Sequence, residues 1–207
     1  MSDDVGQPAT ARGGTVALIR PGSDLLRSLV HEAAVDAGLP AATVEALPGG
    51  IRLTQPDAGP AVTVAGGFVQ ALDDALRAAA TGIGQVRVAM HYSDAGGQQD
   101  VERVTRLVGE PVLDDVLRAT SGARMVVMVS DAFHRVAIRP GHPSIDRSAY
   151  APIGDAWVRV PGAPGPRGLH PRPARPGVPA ARGDHARPAR PPDGAHHEGG
   201  NVGEGDA

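Results

Sequence analysis

Val86-Arg87-Val88-Ala89-Met90-His91-Tyr92-Ser93-Asp94, a glycine turn at Gly96-Gly97, and Asp100-Val101-Glu102-Arg103-Val104-Thr105-Arg106-Leu107 form the stretch on which the fold reading turns. In its first part Val86, Val88, Met90 and Tyr92 alternate with Arg87, Ala89 and His91, the period of a half-buried strand. In its last part Val101, Val104, Leu107 and Val108 recur at helical spacing, and Pro111 to Leu117 extends the pattern. A strand therefore hands over to a helix through a loop.

Upstream, Gly14 to Ile19 is an apolar run closed by Arg20-Pro21-Gly22, which predicts a buried first strand and its turn. Ser23 or Asp24 caps a helix carrying Leu25, Leu26, Leu29, Val30 and Ala33/Ala34, ending at Gly38. Ala42 to Ala46 and Ile51 to Thr54 flank Leu47-Pro48-Gly49-Gly50 as a hairpin. Val62-Thr63-Val64 reads as a short strand or an extended entry to the next helix. Phe68, Val69, Leu72, Ala75, Leu76 and Ala79 make that helix, which breaks at Gly82.

Downstream, Met125 to Val129 has no polar interruption, as a strand covered on both faces requires. Ser130 or Asp131 caps a brief helix through Val136, and Ala156 to Val160 is a last alternating strand. The order β-α-β-β-α-β-α-β-α-β predicts an α/β (α+β, ferredoxin-like sandwich) fold, one sheet flanked by helices. The domain spans 14–162, after a disordered N-terminus over 1–13. From Pro161 onward Pro, Gly, Arg, Ala and His dominate, so 163–207 is expected to be a disordered tail.

Composition narrows the chemistry. Aromatic residues are 2% of the chain, so the core must be aliphatic, with Phe68, Phe133, Trp157 and two tyrosines as isolated large fillers. Cysteine is absent, which excludes disulfides and thiolate metal sites. No lysine occurs, so no mechanism can use one. A net charge of -3 gives no basis for a nucleic-acid partner. With no leader-like start and no long apolar run, the expected location is cytoplasmic, without a membrane partner.

The region from about Thr15 to Gly162 resembles a degenerate class III nucleotide (adenylate/guanylate) cyclase homology domain of the short actinobacterial type. Val86 to Ser93 is similar to that family's arginine-bearing strand ending in His-x-Gly, and Asp100 to Leu107 to its nucleotide-contacting helix. Met125 to Phe133 looks like the following strand and its "S-D-x-[FY]" helix start, and Gly67 to Leu72 like the preceding helix. The resemblance implies two divalent ions held by two aspartates, one leaving the first strand and one in the hairpin of the second and third strands. Here Val16 through Gly22 carries no acid, and Gly49 stands in the hairpin. The lysine that often reads the purine is missing, and Glu102 occupies the asparagine position of an Asn-x-x-x-Arg pair. Arg106 matches that pair's arginine, a remnant phosphate contact. The last hairpin looks shortened, with Tyr150 to Asp155 running almost directly into Trp157.

The resemblance thus implies a catalytically inactive regulatory or protein-interaction module with no catalytic residue, metal site or cofactor of its own. Its partner is a protein, either a second copy or a cyclase-homology paralogue. Two alternatives remain: an active cyclase recruiting Asp24, Glu45 or Asp94, and a non-catalytic nucleotide sensor using Arg106. Plainer readings stand beside these. His91 is structural, and Arg106 is an exposed helix residue pairing with Glu102. Asp73, Asp74, Asp114 and Asp115 are solvated helix faces. The tail histidines, among them His170 and His185, have no spacing that fixes a metal geometry.

Overall fold

The apolar run Thr15 to Ile19 becomes strand β1 (Gly14–Arg20), which lies inside the sheet with neighbours on both sides. The computed structural model describes residues 13–57, 59–79, 82–94 and 97–163. Expectations for the segments before and after these, and for Gly96, fall outside the described residues.

Helix α1 (Asp24–Asp36) starts where Ser23, rather than Asp24, accepts the Leu26 N–H. The hairpin strands β2 (Thr43–Leu47) and β3 (Gly50–Gln55) follow. Gly49 turns between them at φ +70, the left-handed value that a Pro-Gly turn demands at its second position. Residues 61–78 then run as one helical stretch: α2 (Ala61–Thr63), a π-helical turn (Val64–Phe68) and α3 (Val69–Ala78). Val62 to Val64 is therefore helical, not extended. Strand β4 (Val86–Ser93) returns antiparallel to β1, with Val16 opposite His91.

These elements make a β-α-β-β-α-β unit whose strands lie in the order β2-β3-β1-β4, all antiparallel, the ferredoxin-like arrangement. Helices α4 (Gln98–Val108) and α5 (Val112–Ala119) then cross over to β5 (Met125–Ser130), parallel to β4. Helix α6 (Asp131–Phe133), capped by Ser130, continues into a π-helical turn over His134–Ile138. The chain closes with β6 (Ala151–Ile153) and β7 (Ala156–Arg159), giving the seven-stranded order β2-β3-β1-β4-β5-β7-β6. Strand β6 escaped the sequence reading because it has three residues, one of them Pro152; the hairpin is short, as expected.

Strand alternation divides the core in two. Ala17, Ile19, Leu53, Val88, Met90 and Val127 face α1, the 61–78 helix and the 131–138 helix. Val16, Leu18, Ala89, Val126, Met128 and Val158 face α4 and α5. Every residue of β5 is buried, as its uninterrupted apolar run requires. No helix among the described residues is long and apolar enough to cross a membrane.

Candidate functional site

Strands β4 and β5 are parallel, with Met90 opposite Val129, so His91 and Ser130 project side by side toward α4. Ser130 Oγ lies 2.8 Å from His91 Nδ1 and accepts the Phe133 N–H at 3.1 Å. The other imidazole nitrogen, Nε2, lies 3.3 Å from Asp100 Oδ1 in the first turn of α4. Burial pushes the His91 pKa down, with Asp100 opposing and the Arg103 charge assisting. A neutral ring satisfies the whole chain of bonds: the Ser130 hydroxyl donates to Nδ1 and Nε2–H donates to Asp100.

The set is a serine, a histidine and an aspartate in sequence, but not a nucleophile in waiting. Ser130 is 1% exposed and its oxygen already caps a helix. A nucleophile must reach substrate. The arrangement instead pins the start of α4 and the start of α6 to adjacent strand ends, so His91 is structural in place as well as by type.

Asp100, Arg103 and Arg106 are spaced three apart, along one flank of α4. Arg103 Nη2 donates to Asp155 Oδ2 at 2.6 Å, and Arg106 Nη2 lies 3.9 Å from the same oxygen. Arg106 thus faces the β6–β7 turn; among the described residues no Arg106–Glu102 ion pair forms. Its side chain is 59% exposed.

The positions at which the resemblance would place two divalent ions do not fit them. The β1 segment ends Leu18-Ile19-Arg20, and Gly49 has no side chain and sits in a backbone conformation that strains other residues. The acids weighed as substitutes do not converge. Asp24 pairs with Arg27 at 3.5 Å beyond one end of β1, Glu45 is bound by Arg52 on β3, and Asp94 follows β4 at the opposite end. Seven strand residues, about 20 Å, separate Asp24 from Asp94. Among the described residues no three His, Asp or Glu side chains are grouped to hold a metal.

The helix acids divide. Asp114 and Asp115 are exposed and face Arg87 and Arg118. Asp73, expected to be solvated, is buried at 1% exposure and held by Arg77 Nε at 2.9 Å. Its cover comes from the Pro161-Gly162 segment, toward which Arg77 also reaches, and helical periodicity carries no sign of it.

A second cluster, unread in the sequence, lies across the sheet from α4. Trp157 is no isolated filler: its ring stacks on His134 with centroids 3.8 Å apart and planes 3° from parallel. Tyr150 meets His134 edge-on, and the Arg159 guanidinium lies 5.6 Å from the Tyr150 ring centre. Burial pushes the Tyr150 hydroxyl pKa up, and it pushes His134 down, Asp131 opposing and Arg139 assisting.

Both depressed histidines give one pH dependence. The unfolded chain binds their protons more readily, so stability is complete above about pH 6.5 and falls as pH drops toward the folded-state values. The midpoint of thermal unfolding is expected to fall between pH 7 and pH 5.5, and less steeply in His91→Gln/His134→Gln. Parallel profiles for the two proteins would contradict this.

Comparison with family models, curated proteins and solved structures yields no match for this chain.

Proposed function

We propose that the chain is a cytoplasmic, nucleotide cyclase-like domain without catalytic activity that acts as a regulatory or protein-interaction module. The observation that carries this reading is the pairing of a ferredoxin-like β-α-β-β-α-β core with a carboxylate-free site. The end of β1 and the Pro48-Gly49 turn offer no side-chain oxygen to a divalent cation, Asp24 and Asp94 lie beyond opposite ends of β1, and Glu45 is bound by Arg52. An active cyclase is disfavoured on the same ground. Arg106, with one distant carboxylate for company, is an insufficient catalyst because charge stabilisation without placed metals lacks most of its strength.

The partner is a second copy or a cyclase-homology paralogue, and β2 supplies a place for it. A two-residue turn makes Leu47 and Gly50 a hydrogen-bonded pair, so the next residues, Ala46 and then Val44, turn their N–H and C=O groups away from β3. Those groups form an exposed template for strand addition.

Purified full-length protein given ATP or GTP with Mn²⁺ is expected to release no cyclic nucleotide above a protein-free control. Turnover that disappears in Asp24→Ala, Glu45→Ala or Asp94→Ala would replace the proposal with the enzymatic reading.

A further inference from the structure

Eight of the described arginines have a carboxylate within 4.0 Å. Of the five that do not, Arg139 and Arg147 both line one open cleft of about 640 Å³ with His134, Ile145, Ser148 and Trp157. The single acid in that lining is Asp146, and its carboxylate is already engaged. Oδ1 accepts the Ser148 N–H at 2.9 Å and the Ser148 hydroxyl at 2.6 Å, and these bonds, aided by the nearby Arg159 charge, hold the group below its usual pKa. The cleft wall thus sets two guanidinium groups against one carboxylate, a net positive charge on a chain whose net charge is negative.

Arg147 is held in place. Arg147 Nη1 donates to the Arg139 carbonyl at 3.3 Å, and the guanidinium lies against Gly141, where a Cβ would come within 3.3 Å of it. This one bond leaves most of the fork's five donors without protein acceptors among the described residues. Guanidinium forks match phosphate and carboxylate oxygens, and flat aromatic surfaces accept planar rings. The cleft's size lies within the range of small-molecule sites.

We infer that this cleft binds a small organic anion, a phosphate or carboxylate received by Arg139 and Arg147 and attached to a planar ring lying along the Trp157–His134 wall. The site is on the other face of the sheet from Arg106, and it stands whether or not the domain has lost catalysis.

Trp157 is the only tryptophan in the chain, so its fluorescence reports the cleft directly. The full-length protein is titrated with AMP and with salicylate, and with adenosine and inorganic phosphate as single-feature probes. Saturable quenching is expected with AMP, salicylate or both, which also separates phosphate from carboxylate as the preferred anion. Adenosine and inorganic phosphate are expected to bind at least about tenfold more weakly. Arg139→Ala and Arg147→Ala should each lower affinity about tenfold, the loss of one charge-assisted hydrogen bond. Circular dichroism checks that both variants are folded. The inference is overturned if neither anion saturates, if the folded double variant binds as well as the parent, or if Arg106→Ala alone abolishes quenching. That last result would move binding to α4, whereas cyclic product in the turnover assay bears only on the module reading.

Discussion

Replacing Phe68 by Ala is expected to cost about 3–5 kcal/mol, the range for emptying a fully buried aromatic site. Phe68 is 0% exposed and closes the π-helical turn that joins α2 to α3. Its position depends on the residues before it. A Cβ on Gly66 would come within 3.0 Å of Ser144 Oγ, so glycine lets Ser144 and Ile145 settle against the helix two residues before the ring. Truncation leaves a cavity in the larger of the two cores, walled by β-sheet side chains that cannot collapse into it. A domain of this size typically has 5–15 kcal/mol in total, so the loss is a large fraction. Urea unfolding followed by circular dichroism measures it, and the thermal midpoint should fall by about 10 °C. Phe68→Leu, which retains most of the volume, should cost far less. A loss below about 1 kcal/mol for Phe68→Ala would mean that the helical stretch is not keyed into the core by this ring.

Arg77→Ala is the second large effect, at about 3 kcal/mol. Removing one partner of a buried ion pair strands the other charge, and Asp73 is almost wholly buried. The value belongs at the low end for such pairs because the Arg77 side chain is itself 45% exposed and solvent screens it. The bond also fastens α3 to the end of the domain, since Arg77 Nη2 reaches the Pro161 carbonyl at 3.5 Å. The decisive comparison is Asp73→Leu/Arg77→Leu, which removes both charges and fills the volume. Its stability should return close to the parent value, as uncompensated charge rather than lost attraction is the main cost. If the double variant is no more stable than Arg77→Ala, packing rather than the stranded carboxylate is responsible. Denaturant midpoints of the three proteins separate the cases.

Periodicity made much of this fold readable. Strands β1, β4 and β5 and helices α1, α3 and α4 follow apolar spacing because each buries a face, or both faces, against neighbours. It failed where tertiary packing overrides local preference. Val62 and Val64 favour strands by type, yet they are helical because they continue the α3 face into the core. Strand β6 is too short for an alternation to register.

The candidate sites were less legible. That no acid stands at the end of β1 and that a glycine stands in the hairpin is visible in the sequence, since both concern residue types at the ends of recognisable elements. The His91, Asp100 and Ser130 set joins residues from two strands and a helix. One signal existed: in parallel strands, a histidine near the end of β4 falls beside the capping serine that ends β5. The Trp157 and His134 stack gave no such sign, because antiparallel pairing of β7 with β5 brings them together from separate segments.

The two rims of the sheet differ in kind. In β6 the turn at Gly154-Asp155 points Pro152 away from β7, and proline has no N–H, so the outward side of that strand offers no donor where pairing would start. Among the described residues, β2 is the rim whose outward groups include both donors and acceptors. If two copies paired there along a twofold axis, as the proposed module would allow, each would cover its open rim and pairing would stop at two rather than run on into a fibre.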